Sequence, residues 1–153
     1  VASLDDLSGD DDEAEDAHEE ETDPSEDAML RESGHILLDY IHADFKDESS
    51  YSWMFELMRE AVAESSATEV HAHMVPFDGS TSPPGFAAVV LIDESHITAH
   101  CYADQGLLAV DCFTCGQTDP DRIATHLHNR LIERMPGLTC VRKQRVERFV
   151  SEA

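Results

Sequence analysis

The chain has 153 residues, enough for one domain with a sizeable core, and its 33 acidic against 10 basic residues give a formal net charge of −23. This balance argues against nucleic-acid binding, which needs a basic surface. No run of about 18 apolar residues occurs, so no membrane span is predicted. Because no charged-then-apolar leader is seen, the four cysteines are expected to be reduced thiols and the protein cytoplasmic.

The acidic charge is concentrated at the amino-terminal end of the chain. Residues 1–30 contain 14 Asp and Glu and no Lys or Arg, which leaves 33 − 14 = 19 acidic residues among the other 123. A segment with so few apolar residues buries too little surface to offset its ordering entropy. Residues 1–32 are therefore predicted to be a disordered acidic tail, with an acidic interaction arm as the alternative, and residues 33–153 one folded domain.

Apolar periodicity predicts three elements in the first half of the domain. A strand over residues 35–42 is followed by a helix from about residue 50 to 65 and a second strand over 68–77. The predicted core stripe of the helix contains Trp53, Met54, Leu57, Met58, Ala61 and Val62. In the second strand, Val70, Ala72, Met74 and Pro76 alternate with Glu69, His71 and His73.

A turn-rich loop over residues 78–85 leads into the second half of the domain. Strands are predicted over residues 86–92, 96–102 and 107–113, of which the first is continuously apolar and therefore buried. A helix capped by Thr118 or Asp119 should run to about residue 135, followed by a last strand over 138–149. The predicted buried stripe of this helix is Ile123, Leu127, Leu131 and Ile132, with His126 and His128 on the surface.

The resulting order is β-α-β-β-β-β-α-β. Two helices can cover one face of a mainly antiparallel sheet, so the predicted fold class is α+β, a two-layer sandwich.

Two pairs of residues have spacings that invite a metal ion. His71 and His73 share a strand face, and Cys112 and Cys115 form a C-x-x-C pair. Neither pair has a second ligand pair at suitable spacing. We therefore expect no metal site.

Residues 93–116 are rich in chemically active side chains and read D-E-S-H-I-T-A-H-C-Y-A-D-Q-G-L-L-A-V-D-C-F-T-C-G. This stretch resembles the self-cleavage segment of prokaryotic-type S-adenosylmethionine decarboxylase proenzymes, a pyruvoyl-dependent family. The family signature is approximately E-S-H-[IL]-[ST]-x-H-T-W-P-E-x-G-x-x-A-[IV]-D-x-F-T-C-G. The residues in register are Glu94, Ser95, His96, Ile97, Thr98, His100, Gly106, Ala109, Val110, Asp111, Phe113, Thr114, Cys115 and Gly116.

The resemblance implies a proenzyme that cuts itself between Glu94 and Ser95. The products would be a β chain, residues 1–94, and an α chain, residues 95–153, whose first residue becomes a covalent pyruvoyl group derived from Ser95. Decarboxylation of an amino acid needs an electron sink, which this group would supply. The implied substrate is S-adenosylmethionine, whose decarboxylated form is the aminopropyl donor for spermidine biosynthesis. The resemblance also implies a homodimer with active sites near the subunit interface.

The resemblance assigns roles to individual residues. His100 matches the family residue that acts in self-processing, and Cys115 the one that reprotonates the substrate after decarboxylation. Glu94 would become a chain terminus beside the substrate. Asp104 stands where the family has a substrate-binding Glu, and Phe77 corresponds to the aromatic residue that stacks on adenine.

Two departures from the family pattern keep alternatives open. The usual T-W-P-E is C-Y-A-D here, which is compatible with the same machinery acting on arginine or ornithine. Ala87 replaces a family hydroxyl residue that assists processing, which is compatible with an uncleaved, non-catalytic homologue.

Overall fold

The computed structural model describes residues 33–149, which form six strands and two helices. In chain order these are β1 (Gly34–Ile41), α1 (Glu48–Ala63), β2 (Glu69–Phe77), β3 (Gly85–Ile92), β4 (Ser95–Tyr102), β5 (Leu107–Thr114), α2 (Pro120–Arg134) and β6 (Thr139–Glu147). The predicted acidic tail, residues 1–32, lies outside the described residues. Neither described helix has the length and apolar content that crossing a bilayer would need.

The six strands form one sheet in the order β2-β3-β4-β5-β1-β6. Each strand pairs antiparallel with its neighbours. Helix α1 packs against β2 and β3, helix α2 packs against β1 and β5, and the two helices contact each other. This arrangement confirms the predicted two-layer α+β sandwich.

Alternation along the strands divides the sheet into a covered face and an open face. The covered face packs against the helices and supplies much of the core, including Ile36, Leu38, Phe86, Val90, Ile97, Val110 and Cys112. The opposite side chains of the same strands are half-buried or exposed. This second surface, called the open face, carries His35, Leu37, Val89, Leu91, His96, Thr98, His100, Asp111 and Phe113.

Helix α1 begins two residues before its predicted start because Asp47 caps it. The Asp47 carboxylate accepts a hydrogen bond from the Ser50 backbone N–H at 2.9 Å, in a capping box. The predicted core stripe is confirmed except for Trp53, which is only partly buried. The Arg134 guanidinium lies 4.3 Å from the centre of the Trp53 ring, and Tyr51 is buried instead.

Three further details of the sequence prediction were wrong. Val70 is 64% exposed because a register shift at the start of β2 disturbs the alternation. Ile132 is only partly buried. His128 is not a free surface residue, since its Nδ1 lies 3.0 Å from the hydroxyl of the fully buried Tyr40, and His126 is also half-buried.

Candidate active site

The Glu94–Ser95 peptide bond lies at the tight turn between β3 and β4. The strands pair up to Ile92 and Ser95, so only Asp93 and Glu94 connect them. Glu94 has a φ of +63°, a left-handed conformation that residues with a side chain rarely adopt. The turn is held on its β3 side by a hydrogen bond from the Asp93 N–H to the Thr68 carbonyl, at 3.1 Å. Strain of this kind persists only where the surrounding structure maintains it.

Ser95 is the first residue of β4, and its side chain points to the covered face. It is 9% exposed, and its Oγ is buried without a hydrogen-bond partner. Most buried hydroxyls in folded proteins are hydrogen-bonded, so an orphaned one is unusual and calls for an explanation. Here the unpaired hydroxyl oxygen belongs to the residue that follows Glu94, whose backbone is left-handed.

Cys115 lies at the same end of the sheet as Glu94 and Ser95. The last pair of the β4–β5 register joins His96 to Phe113, and from that pair Cys115 lies two residues further along the chain and Glu94 two residues back. Cys115 is a free, half-buried thiol just after the end of β5. The sheet thus brings three of the predicted site residues together.

The C-x-x-C pair does not form a site in the described structure. Cys112 is fully buried in the core on the covered face, where burial raises the pKa of its thiol. Burial likewise raises the pKa of Cys101 to about 12.

Residues 33–149 contain no group of three potential metal-binding side chains. His71 and His73 are an exposed stacked pair with ring centres 6.5 Å apart.

His100 lies far from Ser95 within one chain. It is exposed on the open face, whereas Ser95 points to the covered face of the same strand. Five residues of extended strand separate the two by roughly 16 Å. The nearest cross-strand neighbours of His100 are Ala87 and Ala109.

Asp104 and Phe77 lie at the other end of the sheet. Asp104 is exposed in the turn between β4 and β5, and Phe77 is the half-buried last residue of β2. The length of β4, eight residues or about 25 Å, separates this end from Ser95. The structure therefore divides the predicted site residues into two groups, one at each end of the sheet.

A polar cluster on the open face was missed by the sequence analysis. It contains His35, His96, Asp111, Phe113 and Arg148, which belong to four separate segments of the chain. His96, Asp111 and Phe113 are in register with the family signature but had no assigned role. Nothing in the sequence predicts the contact of Asp111 with His35, because it depends on β1 lying beside β5.

Comparisons with known proteins were made for the sequence and for the fold. The family model for S-adenosylmethionine decarboxylase matches residues 34–143. The S-adenosylmethionine decarboxylase proenzyme of Symbiobacterium thermophilum is 34% identical over 110 residues, covering 71% of this chain and 80% of that protein. The proenzyme of Aquifex aeolicus is 32% identical over 110 residues, covering 63% of this chain and 78% of that protein.

A solved structure agrees with the sequence relatives. The crystal structure of the adenosylmethionine decarboxylase from Aquifex aeolicus superposes with a TM-score of 0.57 at 27% identity, covering 78% of this chain and 92% of that chain. The matched residues include the strained turn at Glu94, Ser95 and the strand end at Cys115. The chain belongs to the S-adenosylmethionine decarboxylase family.

Proposed function

We propose that the chain is a self-processing proenzyme that becomes a pyruvoyl-dependent S-adenosylmethionine decarboxylase. The observation that carries this proposal is the junction of Glu94 and Ser95. A left-handed, strained residue supplies the carbonyl carbon, and the next residue supplies a buried hydroxyl without a hydrogen-bond partner. Family membership supports the same reaction.

Self-cleavage would proceed through an ester. The Ser95 Oγ attacks the Glu94 carbonyl carbon, the C–N bond breaks, and the peptide becomes an ester with a free amine on residue 95. Removal of the α-proton of residue 95 breaks the Cβ–O bond and releases Glu94 as a carboxylate. The dehydroalanine left behind takes up water and loses ammonia, which gives the pyruvoyl ketone.

The residues at this end of the sheet fit a pyruvoyl group. The ketone would be carried by the first residue of β4, and it would supply the electron sink for loss of carbon dioxide. Cys115 lies at the same end of the sheet and is the proposed proton donor to the substrate carbon. Because the Glu94 side chain is exposed, the new chain terminus would add a carboxylate at an accessible position.

The separation of the site residues supports a homodimer. His100, Asp104 and Phe77 cannot reach Ser95 within one chain. If two open faces pack together about a two-fold axis with their strands antiparallel, the backbone of the Glu94–Ser95 turn at the end of one sheet comes near the His100 end of the other, while the Ser95 side chain points to the covered face. The open face carries exposed apolar side chains suited to this contact, among them Leu91 at 41% exposure and Val75 at 39%.

Intact mass under denaturing conditions tests self-cleavage directly. We expect two chains that meet between Glu94 and Ser95, the second lighter than its serine form by about one ammonia. Ser95→Ala is the control and should remain one chain. A wild-type chain that stays whole after long incubation contradicts the proposal.

Carbon dioxide release tests the substrate. We expect release from S-adenosylmethionine, with arginine and ornithine as competing substrates in the same assay. A clear preference for either basic amino acid would contradict the proposed substrate and leave the self-cleavage proposal standing.

A further inference from the structure

A chain of polar contacts crosses the open face next to the proposed cleavage point. Arg148 Nη1 lies 3.3 Å from His35 Nδ1, and His35 Nε2 lies 3.7 Å from an Asp111 carboxylate oxygen. The other Asp111 oxygen accepts a hydrogen bond from Thr98 Oγ1 at 3.3 Å. These four residues, the open-face network, connect the segment after β6 with β1, β5 and β4.

The contacts fix the protonation pattern of His35. A guanidinium only donates hydrogen bonds, so His35 Nδ1 must accept from Arg148 and the proton lies on Nε2. That Nε2 is buried, has no hydrogen-bond partner and lies 3.7 Å from an Asp111 carboxylate oxygen. Burial lowers the pKa of His35, as do Arg148 and His96, while Asp111 acts in the opposite direction. The net effect lowers the pKa of His35 and favours the neutral ring.

Three rings connect this network to the residue after Ser95. His35 contacts Phe113 at a centroid distance of 5.7 Å, and His96 contacts Phe113 at 5.4 Å. The His35 and His96 rings also meet edge to face at 6.3 Å. The Arg148 guanidinium lies 4.9 Å from the centre of the Phe113 ring and covers this group. The first residues of β4 are thus held by packing at His96 and by a hydrogen bond at Thr98.

We propose that the open-face network is a positioning device that holds β4 against the strained turn while the chain cuts itself. This inference rests on the proposed function. The turn is fixed on the β3 side by the hydrogen bond of Asp93, and the network supplies the matching restraint on the β4 side. Without that restraint, Glu94 can relax from its left-handed conformation, and the Ser95 oxygen loses its alignment with the Glu94 carbonyl.

Two substitutions at Thr98 separate positioning from packing. Thr98→Val keeps the shape of the side chain and removes the hydroxyl, whereas Thr98→Ser removes a methyl group and keeps the hydroxyl. We expect Thr98→Val to slow self-cleavage about tenfold, the effect of losing one hydrogen bond to a charged acceptor, and Thr98→Ser to cleave nearly as fast as wild type. If packing alone mattered, the order of the two rates would be reversed.

The matched control makes the same chemical change elsewhere. Thr139→Val removes a hydroxyl from an exposed residue at the start of β6 and should leave the cleavage rate unchanged. Asp111→Asn, which retains the shape of the side chain, should slow cleavage at least as much as Thr98→Val. Thermal unfolding of each uncleaved precursor is measured beside the rate, and rates that simply follow the melting temperature would overturn the inference.

Hydroxylamine distinguishes the two possible failures, because it cuts esters faster than amides. A wild-type chain that neither cleaves nor is cut by hydroxylamine between Glu94 and Ser95 contradicts the proposed function and the inference with it. A wild-type chain that cleaves while Thr98→Val cleaves equally fast contradicts the inference alone.

Discussion

At the scale of single residues, the proposed cleavage position is unusual in its backbone conformation and in its hydrogen bonding. Of the described residues other than glycine, His42, Glu94 and Phe149 have positive φ. Glu94 alone among them precedes a buried hydroxyl without a hydrogen-bond partner. A left-handed residue with a side chain costs on the order of 1–3 kcal/mol, so its presence at this bond is consistent with a role in the reaction.

Ala87 offers a test of what limits processing. It lies directly across from His100 on the open face, where the family pattern has a hydroxyl residue. We expect Ala87→Ser to accelerate self-cleavage severalfold, because in the proposed dimer the added hydroxyl can donate to the oxyanion that develops in the other copy. The time course of precursor loss on a denaturing gel measures this effect. A rate equal to that of the wild type would show that another group already fills the role.

Substitution of Cys115 tests its proposed role in decarboxylation, measured on protein that has already cleaved itself. We expect Cys115→Ala to reduce decarboxylation by about 10²-fold or more, the typical effect of removing a general acid. Cys140→Ala is the matched control, since Cys140 is also a free, half-buried thiol but lies in β6. Initial rates on fully cleaved protein give the comparison. Equal activity in both variants would remove Cys115 from its proposed role.

The sequence pointed to the proposed site residues but not to their surroundings in the fold. Glu94, Ser95 and Cys115 occur in one motif, so their grouping could be predicted from the resemblance. The contact of His35 with Asp111 and Arg148 could not, because it joins residues far apart in the chain. The position of His100 on the other face from Ser95 followed from strand alternation, but its significance depends on the fold.

At the scale of elements, local patterns predicted the helices and strands, and tertiary packing decided the details. All eight elements were predicted, because alternation and helical spacing are local properties. The exchange of Tyr51 for Trp53 in the core depended on Arg134, which belongs to the other helix. The exposure of Val70 depended on an irregularity in pairing with β3. Neither effect has a signal in the sequence of the element itself.

Core burial in the central strand should dominate its stability. Ile97 in β4 is completely buried, so Ile97→Ala should lower the free energy of unfolding by about 2–5 kcal/mol. Val141→Ala in β6 should change it by less than about 0.5 kcal/mol, because Val141 is 55% exposed. Denaturant unfolding of the Ser95→Ala precursor gives both values without interference from cleavage. Similar losses for the two variants would contradict this account of the core.

At the scale of the whole molecule, the proposed homodimer rests on the arrangement of one sheet. The proposed nucleophile and the proposed proton-transfer residue lie at different positions along β4 and on different faces. The sheet order could not be read from the sequence, since it follows from how distant strands pair, whereas the opposite faces of Ser95 and His100 follow from alternation along one strand. A two-fold pairing of open faces would create two equivalent composite sites.

Complementation between inactive variants tests the composite site. Ser95→Ala has no nucleophile and His100→Ala lacks the proposed proton-transfer group, so each alone should remain uncleaved. When the two are unfolded and refolded together, we expect cleavage of the His100→Ala chain, using His100 of the other copy. Mass spectrometry identifies which chain is cut. An absence of cleavage in mixtures shown to contain heterodimers would place the reaction within a single chain.

The order of the strands also determines whether the two fragments of the proposed cleavage stay together. Residues 1–94 contribute β1, β2 and β3, and residues 95–153 contribute β4, β5 and β6. Since β1 lies between β5 and β6, strands of the two fragments would be hydrogen-bonded to each other at three places in the sheet: β3 with β4, β5 with β1, and β1 with β6. Neither fragment could leave without opening the sheet, so cleavage would not cause dissociation. Heating would then distinguish the two forms: the intact precursor could recover its fold on cooling as one chain, whereas the cut protein would have to reassemble from two separate pieces.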